Sequence, residues 1–333
     1  MSDVVIFAPS PVLEITVEDR DGTADVHVHA GGQGVWQARM LLALGHDVEL
    51  CAALSGETGQ VLGHLLREEG IGVVSVRGEG RGGVIVHDRR GGERVPVIES
   101  GGDPLSRHEL DELYGLTLRT SLGARLVILS GPHGAGIVPA DFYRRLASDL
   151  RTAGTPVVVD LAGDRLDAAL EGGVVAVKVS DEELRDDARV AEGASVPQLV
   201  AAMRTLRDAG ADVIAVTRAE LPTLLLEGDV VQEVVAPQLD VVDSSGAGDA
   251  FVGAFASVLA HGGTVVEAAT LGAAAGAQNV TRHGLGTGDA STIERLRELV
   301  VVRQLPDEND PTPAPAREVT PDELARDIGD TPT

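Results

Sequence analysis

The segment Asp243-Ser244-Ser245-Gly246-Ala247-Gly248-Asp249 has residue types suited to the transfer of a phosphoryl group. Gly246, Ala247 and Gly248 have little or no side chain, so a phosphate can approach their backbone N–H groups where a helix begins. Asp249 would lie in the first helical turn, where its carboxylate can accept the proton of an attacking hydroxyl. The segment therefore predicts a phosphoryl-transfer site, although the same residues also suit an ordinary glycine-rich turn into a helix.

Two better-known phosphate-binding motifs do not fit the chain. The dinucleotide fingerprint G-x-G-x-x-G, started at Gly246, would require glycine at position 251, which is Phe251. A Walker A loop requires glycine before lysine, and the chain's single lysine, Lys178, follows Val177. The sequence thus excludes both of these nucleotide-binding loops.

The elements that would position this segment follow an alternating pattern. An apolar run ending at Val241-Val242 predicts a strand before the segment, and residues 250–260 repeat apolar side chains at helical spacing after it. From residue 34 onward, strand and helix patterns alternate, which predicts an α/β protein with a mainly parallel sheet covered by helices on both faces. The predicted strands are 48–54, 125–130, 156–160, 174–179 and 213–217, and the predicted helices are 34–44, 59–69, 139–153 and 196–209.

Three segments depart from this alternation. Residues 11–30 and 82–98 alternate apolar and polar side chains, which predicts a small separate sheet. Such a sheet can act as a lid that excludes water from a transfer site, and it can also serve as a dimer contact. Residues 304–333 are rich in Pro, Asp, Glu and Thr, so we predict a disordered tail after a single domain of residues 1–303.

Composition excludes several classes of function. The formal net charge of −25 over 333 residues opposes binding to nucleic acids or to anionic membranes. Cys51 is the only cysteine, so the chain has no intrachain disulfide and no thiolate cluster for zinc. We found no pattern of a signal peptide and no apolar run long enough to span a bilayer, and we therefore expect a cytoplasmic protein.

Five segments match a known set of motifs in order and spacing. The chain therefore resembles the PfkB family of carbohydrate kinases over residues 3–302, and most closely its 1-phosphofructokinase and tagatose-6-phosphate kinase branch. The matches are Ser10-Pro11-Val12-Leu13-Glu14 with Asn-Pro-Ala-Leu-Asp, Ala30-Gly31-Gly32-Gln33-Gly34-Val35-Trp36 with Ala-Gly-Gly-Lys-Gly-Ile-Asn, Leu129-Ser130-Gly131 with Leu-Ser-Gly, Lys178-Val179-Ser180-Asp181-Glu182-Glu183 with Lys-Pro-Asn-x-x-Glu, and residues 245–249 with the signature before the long helix.

The resemblance implies a ribokinase-like fold, with a three-layer α/β/α core and a small β-sheet lid. It also implies ATP-dependent phosphorylation of a sugar or sugar-phosphate hydroxyl, with Asp249 as general base and the amides of Gly246, Ala247 and Gly248 as the anion hole. Mg²⁺ would accompany the nucleotide and be held through water by Glu183, and Asp243 would belong to a site for K⁺. The residues implied for the nucleotide are Lys178, Ser180, Glu183, Thr217, Arg218, Ser245, Gly248, Gly276 and Asn279.

The sugar site implied by the resemblance departs from the family pattern. Gln33 stands where the branch has lysine, and Trp36 stands where it has the asparagine that binds a hydroxyl. Arg81 falls where the branch places an arginine that binds phosphate, and guanidinium suits that role. The residues implied for the substrate are Glu14, Gly31, Gly32, Gln33, Trp36 and Arg81. The family also implies a homodimer formed through the lid.

These departures leave two alternative functions open. Trp36 could stack on a nucleobase, and with the lysine lost at position 33 this favours a nucleoside kinase of the same fold. Ala219 and Pro222 replace glycines in the loop expected to contact the nucleotide, and Ser180 replaces the usual asparagine. A non-catalytic relative that binds a sugar or a nucleotide is therefore the second alternative.

Overall fold

The strands form two separate sheets in the computed structural model, which describes residues 2–92, 94–134, 136–282 and 286–305. The strands are β1 Val4–Phe7, β2 Val12–Arg20, β3 Thr23–Gly31, β4 Val48–Ser55, β5 Gly72–Gly78, β6 Gly83–Asp88, β7 Val95–Ser100, β8 Leu126–Ser130, β9 Val157–Asp160, β10 Val174–Ser180, β11 Ala211–Arg218, β12 Leu221–Glu227, β13 Val230–Val235 and β14 Val301–Gln304. The helices are α1 Gln33–Ala43, α2 Gly56–Glu68, α3 Arg107–Ser121, α4 Ala140–Thr152, α5 Gly163–Gly172, α6 Asp181–Asp186, α7 Val196–Asp208, α8 Ala247–Ala260, α9 Val265–Asn279 and α10 Ala290–Arg297.

The larger sheet has ten strands in the order β14-β13-β12-β11-β10-β9-β8-β1-β4-β5. From β11 to β5 the neighbouring strands run parallel, which confirms the predicted α/β class. From β11 to β14 they run antiparallel, so the predicted strand–helix alternation fails in this part. The reason is that tight turns join β11 to β12 and β12 to β13, and a tight turn can only connect antiparallel strands.

The alternation of side chains along β1 shows how the layers form. Val4 and Ile6 belong to the apolar core beneath α1, α2, α8 and α9, whereas Val5 and Phe7 belong to the core beneath α3, α4, α5 and α7. Successive side chains of a strand point to opposite faces, so one buried strand supplies both cores. The sheet is therefore covered on both sides, and its strand ends are left to form a site.

The smaller sheet has the strand order β3-β2-β6-β7 and confirms the separate sheet predicted from residues 11–30 and 82–98. Strand β2 pairs antiparallel with β3 and parallel with β6, and β6 pairs antiparallel with β7. We refer to these four strands as the lid. Cross-strand partners share a face, so the register Ile15↔Val28 and Ile15↔Val86 gives the lid one apolar face.

The predicted strand ending at Val241-Val242 is wrong. Strand β13 ends at Val235, and the segment that follows it is irregular up to α8. The amides of Val242 and Asp243 donate to the carbonyl of Val280 at 2.7 and 3.1 Å, at the end of α9. Because these amides bond to a helix end, they do not join a strand ladder. The apolar run is therefore a loop held against α9.

Strand β14 extends to Gln304, the residue at which the predicted tail starts, and residues 306–333 of that tail lie outside the described part of the chain.

Within the described ranges, no helix combines the length and apolar character that crossing a bilayer demands.

Candidate active site

Helix α8 begins with a backbone conformation that suits glycine. Gly246 caps the helix in the left-handed region, with φ of 79°, where a side chain would be strained. A Cβ atom on Gly248 would lie 2.8 Å from Nζ of Lys178, so glycine allows the lysine to approach the helix start. The first amides of α8, from Ala247 onward, belong to the orphan donors of a helix N-terminus. The predicted anion-hole residues and Lys178 therefore lie together.

Asp249 follows in the first turn of α8 and is only 8% exposed. Gln37 of α1 reaches it, because its Nε2 lies 3.4 Å from Oδ1 of Asp249 and 2.9 Å from Oδ2 of Asp160. The carbonyl oxygen of the same side chain accepts a hydrogen bond of 2.5 Å from the Ser130 hydroxyl. One buried carboxamide thus joins the predicted base to the carboxyl ends of β8 and β9.

Lys178 completes this cluster from β10. Its Nζ lies 3.1 Å from Oδ1 of Asp160 and 3.8 Å from Oε2 of Glu183. Burial lowers the pKa of Lys178, but the carboxylates of Asp160, Glu183 and Asp249 outweigh burial and raise it above its ordinary value. The lysine is therefore held in its charged form.

The pKa of Asp249 is also shifted by its surroundings. Burial raises its pKa well above the ordinary value for aspartate, and the neighbouring Asp160 raises it further, while Lys178 acts in the opposite direction. Burial also raises the pKa of Asp160. A carboxylate with a raised pKa holds a proton more readily, which is the property required of a general base.

The predicted nucleotide residues lie at the ends of two neighbouring parallel strands. Ser180 at the end of β10 is in register with Thr217 near the end of β11. Ser180 also caps α6, whose Glu183 returns a capping box: Oε2 of Glu183 accepts from the Ser180 amide at 2.7 Å and from its hydroxyl at 2.9 Å. The cap holds Oε2 of Glu183 at its distance of 3.8 Å from Nζ of Lys178.

Three other predicted nucleotide residues make structural contacts. The Nε of Arg218 donates to the Pro222 carbonyl at 2.6 Å, and Arg218 forms a buried ion pair with Glu233 at 3.3 Å. Asn279 donates to the Ser245 carbonyl at 2.8 Å and so holds the loop before α8. Gly276 lies where a Cβ atom would be 3.2 Å from the Ala247 carbonyl, so it allows α9 to pack on the start of α8.

Asp243, the residue implied for K⁺, has two close neighbours. Its Oδ1 accepts from the Ser245 amide at 3.0 Å, and its Oδ2 lies 3.7 Å from Nη2 of Arg89. Oδ2 is buried and accepts no hydrogen bond from the described residues. The arginine already supplies a positive charge beside the oxygen that would ligate a cation.

A cavity of about 530 Å³ lies between the start of α8 and the lid. This volume is in the range of small-molecule sites. It brings together several predicted residues, namely Glu14, Gly32, Gln33, Trp36, Ser245 and Asp249. It also includes residues that the sequence analysis did not assign, namely Ile85, His87, Arg94, Pro96, Glu99, Gly131, Pro132 and His133.

Glu14 lies in this cavity beside an arginine. Its Oε2 accepts from Nη2 of Arg94 at 2.8 Å, and its Oε1 is buried without a hydrogen-bond donor among the described residues. Burial raises the pKa of Glu14, while Arg94 lowers it. Gly31 makes room for this carboxylate, because a Cβ atom there would collide with the Glu14 side chain. The Glu14 carboxylate therefore lines the cavity with Oε2 held by Arg94 and Oε1 buried.

Trp36 and Gln33 differ in how they are held. The indole Nε1 of Trp36 is buried and has no acceptor among the residues that the structure describes. Gln33 is already engaged, since its Oε1 accepts from the Gly131 amide at 2.8 Å. Trp36 thus lines the cavity with its indole N–H buried in the wall, whereas the Gln33 carboxamide is held by the Gly131 amide.

Two predicted substrate residues do not line the cavity, namely Gly31, which packs against Glu14, and Arg81. The Arg81 side chain is 88% exposed and pairs with Asp103, with Nη2 at 2.7 Å from Oδ1. The cation that lines the cavity is Arg94, whose Nη2 also lies 3.3 Å from Nδ1 of His87. His133, in the loop after β8, contacts the lid, with its Nε2 at 3.0 Å from Oε1 of Glu99.

The sequence offered a partial signal for the residues that it missed. Asp160 ends a strand that the pattern predicted, and the carboxyl ends of parallel strands meet at one edge of a sheet. Gln37 gave no such signal, because a polar residue in an amphipathic helix normally faces solvent. Arg94 follows Gly91 and Gly92 in a segment with no motif. Only the folded lid brings it to Glu14.

Comparisons with known proteins show the family to which the chain belongs. The pfkB family carbohydrate kinase model matches residues 3–292. An ATP-dependent 6-phosphofructokinase isozyme 2 from Mycobacterium tuberculosis is 30% identical over 309 residues, 89% of each chain. The protein of the same name from Escherichia coli is 30% identical over 259 residues, 76% of this chain and 82% of that protein.

Solved structures show the same fold. Phosphofructokinase-2 from Escherichia coli in complex with potassium superposes with a TM-score of 0.79 and 24% identity, covering 90% of this chain and 99% of that chain. Arabidopsis thaliana ribokinase complexed with ribose and ATP gives a TM-score of 0.69 and 21% identity, covering 89% and 99%. The chain therefore has the ribokinase-like fold.

Proposed function

Because the chain belongs to the pfkB family of carbohydrate kinases, we propose that it transfers the γ-phosphoryl group of ATP to a hydroxyl of a phosphorylated hexose. The observation that carries this proposal is the position of Asp249, which lines the same cavity as Glu14 and Arg94 while lying in the first turn of α8. The proposed base Asp249, the proposed hydroxyl acceptor Glu14 and the cation Arg94 thus line the same cavity.

In the proposed reaction, Asp249 takes the proton of the attacking hydroxyl while the amides of Gly246, Ala247 and Gly248 bind the transferred group. Lys178 adds a fixed positive charge next to these amides. Gln37 keeps Asp249 in place through a hydrogen bond. The burial of these groups supports the proposal, because preorganised charges act more strongly away from water.

The polar side chains that line the cavity support a sugar. A sugar hydroxyl can both donate and accept a hydrogen bond, and the lining residues include the carboxylates of Glu14 and Asp249 and the guanidinium of Arg94. We assign phosphate recognition to Arg94, aided by His87 and His133, and not to the exposed Arg81. Because the relatives are named 6-phosphofructokinases, fructose 6-phosphate is the first substrate to test.

The residues at the end of β10 fit Mg²⁺ held through water. Oε2 of Glu183 serves the helix cap, which leaves its Oε1 directed elsewhere and able to accept from a water molecule of the ion. Mg²⁺, when bound, neutralises charge on the transferred phosphate. For K⁺ the fit is weaker, because Arg89 already lies beside Oδ2 of Asp243. We therefore propose that K⁺ has only a small effect on the rate.

We further propose a homodimer formed through the lid. Its apolar face leaves several large side chains exposed in the single chain, namely Val26, Val28, Val95 and Ile98. Contiguous exposed apolar residues on an otherwise acidic protein are typical of an interaction surface. Size-exclusion chromatography with light scattering would test this, and a monomer at micromolar concentration would contradict it.

The experiment that tests the function is ATP-coupled ADP release with a panel of fructose 6-phosphate, other hexose phosphates, free hexoses and nucleosides, each with Mg²⁺. Turnover confined to phosphorylated hexoses is the expected result. Turnover confined to nucleosides would favour the second candidate, a nucleoside kinase that uses Trp36 to stack on the base. ATP binding without ADP release from any panel member would contradict the proposed reaction.

A further inference from the structure

Outside the cavity of the candidate active site, three potential metal ligands converge from distant parts of the sequence. Asp3 precedes β1, His46 lies in the turn between α1 and β4, and His261 directly follows α8. The carboxylate and imidazole atoms that these residues can offer all lie within 4.8 Å of one another. We call these residues the 3–46–261 cluster.

The distances within the cluster are too long for hydrogen bonds. Oδ2 of Asp3 lies 4.0 Å from Nδ1 of His46, and Oδ1 lies 3.8 Å from Nε2 of His261. Atoms that bind one zinc ion at about 2.0–2.2 Å are roughly 3.3–3.6 Å apart in a tetrahedral site. The observed spacing therefore matches two ligands of one ion better than it matches a direct contact.

Two of the ligands are already oriented as metal ligands usually are. Nδ1 of His261 lies 3.0 Å from the Ser257 carbonyl. A carbonyl can only accept, so Nδ1 carries the proton and the lone pair of Nε2 faces Asp3. Asp3 is itself held by Nε of Arg125 at 3.2 Å and by the Asp47 amide at 3.3 Å. Such outer contacts fix the ligands of known metal sites.

The two imidazoles also lie close together, with ring centroids 4.8 Å apart and planes tilted by 39°. Two imidazoles and one carboxylate favour zinc and similar borderline metals over Mg²⁺, which prefers oxygen ligands alone. We propose that the 3–46–261 cluster binds one Zn²⁺ ion, with water completing four-coordination. The ion links the start of β1 and the turn after α1 to the C-terminal end of α8, the helix that carries Asp249 at its other end.

Isothermal titration with ZnCl₂ tests the proposal on the full chain after chelator treatment, in buffer with excess Mg²⁺ to occupy oxygen-only sites. Wild-type protein is expected to bind one equivalent. His46→Ala and His261→Ala are expected to weaken binding about tenfold or more. His64→Ala, an exposed histidine of α2, and His27→Ala, which lies near Asp25 and Glu18, serve as matched controls and keep wild-type affinity.

Thermal unfolding supplies a second readout, because an ion that binds only the folded chain raises the melting temperature. Zn²⁺ is expected to raise it in the wild type and in both controls, and not in the two cluster variants. The proposal is overturned if the wild type binds no Zn²⁺, or if both cluster variants retain wild-type affinity. It is equally overturned if His27→Ala abolishes binding, since the ion would then belong to the lid.

Discussion

The buried residues around Asp249, which we call the floor of the cavity, and the lid are built in opposite ways. At the floor, Gln37, Asp160 and Lys178 are buried and connect Asp249 to three elements of the core. In the lid, β7 is exposed along its whole length, and Glu99 reaches the floor only through its pair with His133. Loss of Asp160 or Lys178 would leave the other charge buried without its partner, whereas the exposed side chains of β7 can change partners. We therefore propose that the floor determines the chemistry and that the lid selects the substrate.

The largest effect is expected at the floor. Asp249→Asn removes the base and should lower kcat by roughly 10²- to 10⁴-fold. The same change removes a buried charge whose pKa is raised in the folded state. A group of this kind stabilises the fold only while protonated, and that stability is lost as pH rises through the folded pKa.

At neutral pH the Asp249→Asn variant should therefore unfold at the same or a higher temperature than the wild type. Coupled ADP release and a melting curve measure the two effects. Full activity, or a strongly lowered melting temperature, would argue against the buried base.

The next effect concerns how the base is positioned. Gln37→Leu removes the carboxamide between Asp249, Asp160 and Ser130, so kcat should fall by up to roughly 10²-fold through misplacement. Gln278→Leu is the matched control, because Gln278 is equally buried but bonds to Asp289. Both variants should lose a similar amount of stability. An equal loss of kcat in both would mean that Gln37 acts only through the fold.

The lid should respond in KM and not in kcat. Arg94→Met is expected to raise KM for a sugar phosphate about ten- to hundredfold, the range for hydrogen bonds to a charged group. KM for an unphosphorylated sugar should change much less. Arg81→Met is the control, since its side chain lies outside the cavity. If Arg81→Met has the larger effect, the assignment of phosphate recognition is reversed.

The smallest expected effect is a displacement of the pH profile. The base must be deprotonated, so activity falls as pH drops through the raised pKa of Asp249. Because the Asp160 carboxylate helps to raise that pKa, Asp160→Asn should move the acid limb of kcat/KM to lower pH. Asp164→Asn, at the start of α5, should leave it in place. An unchanged acid limb in Asp160→Asn would mean that the Asp160 carboxylate does not raise the pKa of Asp249.

The contrast between floor and lid also explains what the sequence could predict. The helix start at α8 is a local feature, in which residue type and spacing determine the geometry. The two-sheet architecture was equally accessible, because apolar periodicity differs between buried parallel strands and half-exposed lid strands. These parts of the fold were predicted from the chain alone.

Contacts between distant segments were not accessible in this way. Gln37 meets Asp160 across 123 positions, and Arg94 meets Glu14 across 80. Neither pair has a spacing that a local pattern can encode. The antiparallel strands β12 to β14 were missed for a related reason, since their short apolar runs do not reveal their partners. Arg81 illustrates the converse case, because a position aligned with a family motif lies in an exposed ion pair with Asp103.

The burial of Lys178 has a practical consequence, because it is the only lysine in the chain. Its side chain is 9% exposed, and its ammonium group lies between Asp160 and the start of α8. Protein grown with lysine labelled at Nζ would therefore give a single side-chain nitrogen resonance in a magnetic resonance spectrum, arising from the candidate active site. Amine-directed reagents would in turn find no other side-chain amine on the surface. The protein thus carries one lysine reporter at its candidate active site, and no mutation is required to create it.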